Sequence, residues 1–189
     1  PNRFEHGYGL SPEIVQLAIQ EKQPDLIITV DNGISSFDGA KLARQSNIQV
    51  IITDHHLPSE TLPEADAIIN PNLKGCEFLS KNLAGVGVCF YLFSALKTHL
   101  NKNQYFTRNN IPLPDLRTVL DLVALGTVAD VVKLDQNNRI LIDQGIKRIQ
   151  AKQCVPGILA LLEIANRQPA TLQASDLGFA VGPRLNAAG

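Results

Sequence analysis

Two short β-branched runs most constrain what this chain can fold into. Leu26-Ile27-Ile28-Thr29-Val30 and Val50-Ile51-Ile52-Thr53 both lack a polar face, and an aspartate follows each at once, Asp31 and Asp54. A run without polar alternation suits a strand buried on both faces, as in a parallel sheet. Between them lie a turn sequence, Asp31-Asn32-Gly33, and a stretch carrying Ala40, Leu42 and Ala43 at helical spacing. This reads as a βαβ unit. Such crossovers are right-handed in nearly all cases and leave both strand C-termini at one edge of the sheet. Ligands of open α/β sheets bind in the crevice outside that edge. Asp31 and Asp54 are therefore expected at neighbouring strand ends.

The flanking sequence extends this pattern. Ser11-Pro12-Glu13 has the N-cap, the first-position proline and the early acid of a helix start, and that helix should end before Pro24. A third, shorter strand is expected at Ala67-Ile68-Ile69, running into Asn70-Pro71-Asn72. After Leu83 the chain turns helical, with helices expected near 86–100, 116–128, 139–149, 157–165 and 174–181. The Asn-rich stretch from Asn101 to Pro114 reads as a surface loop. The fold class is α/β: a mostly parallel sheet with βαβ crossovers over residues 1–82, followed by a largely helical part over 83–189.

Composition narrows the function classes. Hydrophobic residues make up 44% and charged residues 19%, ordinary for a water-soluble globular domain. The longest apolar stretch, Val86 to Leu96, is too short for a membrane span and reads as a buried helix. Cys76, Cys89 and Cys154 form no CxxC pair and no disulfide framework, which points to a reducing, cytoplasmic setting. A net charge of −1 argues against a broad basic surface for nucleic acid, so any such contact must be local. Aromatic residues, at 5%, are too few to argue for base stacking. The chain starts on Pro1, contains no Met, shows no targeting segment and stops within Gly182-Pro183-Arg184-Leu185-Asn186-Ala187-Ala188-Gly189, so both ends are expected to be cuts through a longer protein.

Four segments could carry chemistry. In Thr53-Asp54-His55-His56 an imidazole pair beside a carboxylate can bind a metal or form a capped, solvated turn. Taken alone, Asp31-Asn32-Gly33 reads as a turn with Gly33 at positive φ. Its placement beside His55 lets both side chains reach one cation. Asp121 to Asp130 is an apolar helical run in which Gly126 permits close packing; Asp121 reads as a solvated or helix-pairing residue and Asp130 as a surface acid. In the last segment Arg184 offers a planar fork suited to phosphate and Asn186 an amide, within what otherwise reads as a Gly/Pro loop.

Taken in order, PNRFEHGYGLS, TVDNGI, TDHH, IINPN, LAGVGV, DLVALGTVADVV and GPRLNAAG resemble the RecJ-type exonucleases of the DHH phosphoesterase superfamily, over essentially the whole chain. The resemblance implies a metal site in which Asp31 bridges two divalent cations, Mn²⁺ or Mg²⁺, with His55 and Asp130 as further ligands. It implies His56 beside the scissile phosphate, Asp54 holding the histidines, and Arg184 and Asn186 along the nucleic-acid path. The implied activity is hydrolysis of single-stranded DNA from the 5′ end to 5′-mononucleotides, in DNA repair and recombination. Single-stranded DNA is then the partner, with a single-strand-binding protein or a helicase as candidate protein partners and no membrane. The superfamily's Asp-x-Asp-x-Asp motif has no match here and is expected before Pro1. The C-terminal DHHA1-type domain and the OB-fold are expected beyond Gly189, and the 1–189 segment alone is expected to be inactive. The competing readings are a DHH phosphoesterase acting on oligoribonucleotides, cyclic dinucleotides or pyrophosphate, and a non-catalytic DHH scaffold.

Overall fold

The computed structural model describes residues 7–188, so Pro1 to His6 of the opening motif and Gly189 lie outside the described residues. The chain divides into two compact units, Pro1–Lys81 and Asn82–Gly189.

In the first unit, helix α1 (Pro12–Lys22) starts where Ser11 caps it, the hydroxyl accepting the Ile14 N–H, and it stops at Gln23 in the left-handed conformation. Strand β1 (Leu26–Val30), helix α2 (Phe37–Gln45) and strand β2 (Gln49–Thr53) form the expected βαβ unit. Strand β3 (Ala67–Ile69) completes a parallel sheet of order β1-β2-β3. The register pairs Val30 with Thr53 and Thr53 with Ile69, so all three strands end level. Val15 of α1 and Ala43 of α2 are buried with Val50 and Ile52, and Ile27 and Ile68 pack against them.

The opposite face differs from expectation. Leu26, Ile28 and Val30 are 40%, 44% and 43% exposed, so β1 is not buried on both faces. The helices of this unit contribute their apolar stripes to the Ile27 side. The apolar character of the other face is written into β1 but is not used within this unit.

The second unit is helical, as expected: α3 (Gly85–Lys102), α4 (Tyr105–Arg108), a 3₁₀ turn (Leu116–Val119) leading into α5 (Leu120–Ala129), α6 (Gln136–Gln150) and α7 (Pro156–Ile164). Its core gathers Ala124 and Leu125 of α5, Ile149 of α6, and Ile158 and Leu162 of α7. Helices α5 and α6 cross closely at Gly145, where a Cβ would lie 2.2 Å from the Leu120 carbonyl oxygen. Gly126 likewise permits close packing, since a Cβ there would meet Val86 Cγ1 at 2.8 Å.

Four expectations change here. The Asn101–Pro114 stretch contains α4, because Phe106 is apolar enough to bury and anchor a turn. Helix α3 is only partly buried, with Phe93 and Leu96 exposed. Of the two readings of Asp121, solvated or helix-pairing, only the second holds: it is fully buried, and its Oδ2 accepts the Val155 N–H at 2.7 Å, tying α5 to the start of α7. Last, Gly182 to Ala188 is helix rather than a Gly/Pro loop. Helix α8 (Ala174–Asp176), a π-helical turn (Leu177–Val181) and α9 (Gly182–Ala188) run on without a break. Pro183 has no N–H to donate and its ring crowds the preceding turn. A π-turn is the widening that lets a helix carry such an irregularity.

Candidate metal centre

The level strand ends decide what meets at the edge of the sheet. Past Val30 comes Asp31, past Thr53 come Asp54, His55 and His56, and past Ile69 come Asn70, Pro71 and Asn72.

Asp31 sits at φ 64°, a left-handed backbone that only Gly, Asn and Asp adopt readily. Several contacts hold it there. Its N–H donates to the Thr53 carbonyl at 3.0 Å, and the Tyr8 hydroxyl donates to the Asp31 carbonyl. The turn that follows is closed by Thr29 Oγ1 donating to the Asn32 carbonyl at 2.6 Å and Asn32 Nδ2 donating to the Val30 carbonyl at 2.9 Å. Gly33, at φ 113°, is required twice over: a Cβ would also lie 2.6 Å from Thr29 Oγ1.

This backbone turns the Asp31 carboxylate toward His55, whose Nε2 lies 3.1 Å from Oδ1. The approach is close enough for an ion pair. Even so, Asp31 Oδ1 is shielded from solvent and makes no hydrogen bond of acceptable alignment among the described residues. Alignment outweighs distance here, because at 3.1 Å a hydrogen bond would form if the atoms were pointed for one. Asp31, His55 and His56 each offer one ligand atom, all within 4.8 Å of one another. A buried carboxylate oxygen left without a hydrogen bond beside imidazole nitrogens matches the donor set of a hard or borderline divalent cation.

Asp54 plays a different part. It is almost wholly buried, and both of its oxygens are taken. Oδ2 accepts the Ile34 N–H at 2.9 Å; Oδ1 accepts the N–H groups of His55 and His56 at 2.7 and 3.2 Å and meets His56 Nδ1 at 2.7 Å. Burial pushes its pKa up, but the hydrogen bonds from Ile34, His56 and His55 together hold it below the ordinary carboxylate value. An ionised acceptor on Nδ1 makes that nitrogen the protonated one, so Nε2 is the ring end left for other work. The two histidine rings lie 4.5 Å apart between centroids and tilt by 56°.

The structure therefore brings Asp31, Asp54, His55 and His56 together within the first unit. Asp130 lies in the second unit as the C-cap of α5, its N–H donating to the Gly126 carbonyl. Val131 follows it at φ 58°, an unusual backbone for a β-branched residue. Arg184 and Asn186 are exposed on α9, and Arg184 Nη1 donates to the Ala180 carbonyl at 2.6 Å.

Sequence reasoning gave no role to Tyr8, Asn70 or Asn72, yet all three touch this site. Asn70 Nδ2 donates to the His56 carbonyl and Asn72 Nδ2 to the His55 carbonyl. The signal for the asparagines was present, since they follow β3 as Asp31 follows β1. Tyr8 carried none, because its contact spans 23 positions of chain.

A model of the DHH family, N-terminal domain, matches residues 2–127. The chain belongs to the DHH family. Its resemblance to RecJ runs the whole length of the chain. The single-stranded-DNA-specific exonuclease RecJ of Escherichia coli (strain K12) is 64% identical over all of this chain, which covers 33% of that protein. That of Bacillus subtilis (strain 168) is 38% identical, again over all of this chain and 22% of the relative. The chain thus spans about a third, or less, of the curated DHH proteins it matches. Among solved structures, a crystal structure of exonuclease RecJ bound to manganese superposes with a TM-score of 0.78 at 34% identity, covering all of this chain and 44% of the other. RecJ of Thermus thermophilus in complex with Mn²⁺ gives 0.72 at 32% identity, over 94% of this chain and 24% of that one. These neighbours bear out the α/β fold.

Proposed function

We propose that the full-length protein is a metal-dependent exodeoxyribonuclease that degrades single-stranded DNA from the 5′ end and releases 5′-mononucleotides. The observation that carries this is the shielded Asp31 Oδ1, turned toward His55 Nε2 at a sheet edge it shares with His56. Support comes from relatives named as single-stranded-DNA-specific exonucleases and from neighbours solved with manganese.

Asp31 and His55 would hold Mn²⁺ or Mg²⁺, and the family resemblance adds Asp130 as a further carboxylate ligand. Such cations supply Lewis-acid stabilisation of phosphoryl oxygens and lower the pKa of a water molecule. Asp54 keeps the proton on His56 Nδ1, which directs Nε2 toward the phosphate. His56 and Asp54 then act as a pair, the imidazole contacting the phosphate and the carboxylate setting its orientation. Arg184 and Asn186 would contact the DNA backbone. The setting is the cytoplasm, in repair and recombination, where a single-strand-binding protein or a helicase would present the substrate.

The test is competition. Full-length protein is given 5′-labelled single-stranded DNA and a dinucleotide together, with Mn²⁺. Preferential release of mononucleotides from the DNA is expected, and preference for the dinucleotide overturns the reading.

A further inference from the structure

The Asn70-Pro71-Asn72 segment touches the main-chain carbonyls of the histidine pair, where Asp54 takes the N–H groups. Asp54 takes the N–H groups of His55 and His56. The carbonyls of the same two residues are taken by the asparagines: Asn72 Nδ2 donates to the His55 oxygen at 2.6 Å and Asn70 Nδ2 to the His56 oxygen at 2.8 Å. The orientation of Asn70 is settled by its own second bond. Its Oδ1 accepts the Asn72 N–H at 2.8 Å, so the amide nitrogen must be the end that faces His56. Asn70 is 4% exposed, where a lost partner is not replaced by water.

We propose that Asn70 and Asn72 are positioning residues for the cation site, fixing the peptide planes of His55 and His56 and with them the directions in which both imidazoles leave the backbone. Gripping each residue at both its N–H and its C=O leaves the histidine backbone no rotation that keeps all the hydrogen bonds. Losing a partner that holds the ring of a metal-ligating histidine typically weakens metal binding about 10–100-fold, and the asparagines hold the main chain from which those rings project, so the lower end of that range is expected. The inference rests on the metal reading above.

The experiment measures Mn²⁺ affinity of the full-length protein from the free-ion electron paramagnetic resonance signal, alongside the urea midpoint of unfolding. Asn72→Asp replaces the amide donor with an oxygen that faces the His55 carbonyl at nearly constant shape. Asn72→Ser adds no charge and draws the donor back, its shorter hydroxyl falling short of the His55 carbonyl, and serves if the first variant does not fold. Lys81→Met is the control, since Lys81 Nζ ties the carbonyls of Pro71 and Cys76 within the same segment. We expect Asn72→Asp or Asn72→Ser to weaken Mn²⁺ binding about 10-fold. Lys81→Met should lower the urea midpoint and leave the affinity within about twofold, because it touches neither histidine. Affinity unchanged in a folded Asn72 variant, or lowered equally by Lys81→Met, overturns the positioning role. Wild-type protein that binds no Mn²⁺ would instead overturn the metal reading, and this proposal with it.

Discussion

Asp54 Oδ1 lies 2.7 Å from His56 Nδ1, and the same oxygen accepts the main-chain N–H groups of both histidines. One buried carboxylate thus sets the tautomer of one imidazole and the backbone of two.

Asp54→Asn should disturb both roles. Its amide group would have to face a donor, Ile34 N–H on one side or the histidine cluster on the other. Hydrogen bonds to charged groups are worth about 1.5–3 kcal/mol each, so a loss of about 2 kcal/mol in urea unfolding is expected. Mn²⁺ affinity, measured on the folded fraction, should fall about 10–100-fold.

Asp31→Ala should separate site from fold. The carboxylate is lost, and a residue less suited to φ 64° takes its place, at a cost of about 1–2 kcal/mol. Asp31→Asn tolerates that backbone but lacks the charge. Both should remain folded by circular dichroism and lose most of the proposed nuclease turnover in the full-length protein, and unchanged turnover in either would refute Asp31 as a metal ligand.

Gly145→Ala probes the second unit alone. A methyl group there meets the Leu120 carbonyl oxygen and the Ala124 Cβ, neither of which can yield without parting α5 from α6. Overpacking of this kind costs about 1–3 kcal/mol, read as a lower urea midpoint.

Cys154 should be a slow thiol. Burial first, and then the negative charge of Asp121, push its pKa above the ordinary thiol value, while Arg148 opposes them weakly. The thiolate is the reactive form, so at about pH 8 iodoacetamide should label Cys154 more slowly than a free cysteine peptide. The rate should keep rising with pH past the point where the peptide levels off. Mass spectrometry of the labelled peptide reads both.

Much of the architecture was legible before any coordinates. The apolar runs of β1 and β2, the Ser11 cap and the punctuation at Pro24 act within a few residues, so the βαβ unit and α1 followed from local pattern. Asp31 and His55 could be placed together because parallel strands joined by a crossover end on one side of a sheet. The exposed face of β1 was not legible, because an apolar residue specifies a wish for burial and not what provides it. The helix through Gly182-Pro183 was hidden for a related reason: the proline reads locally as a break, and the π-turn that accommodates it lies in the hydrogen bonds of the residues before it.

By itself, then, the sequence determined the order of strands and helices and the kinds of ligand atom available, since both depend on residues close together in the chain. Only the tertiary structure decided which atoms meet. The Tyr8 hydroxyl on Asp31, the two asparagine amides on the histidine carbonyls and the burial of Asp121 all join positions far apart in the chain. Hydrogen bonds act over about 3 Å, so such pairs are chosen by packing.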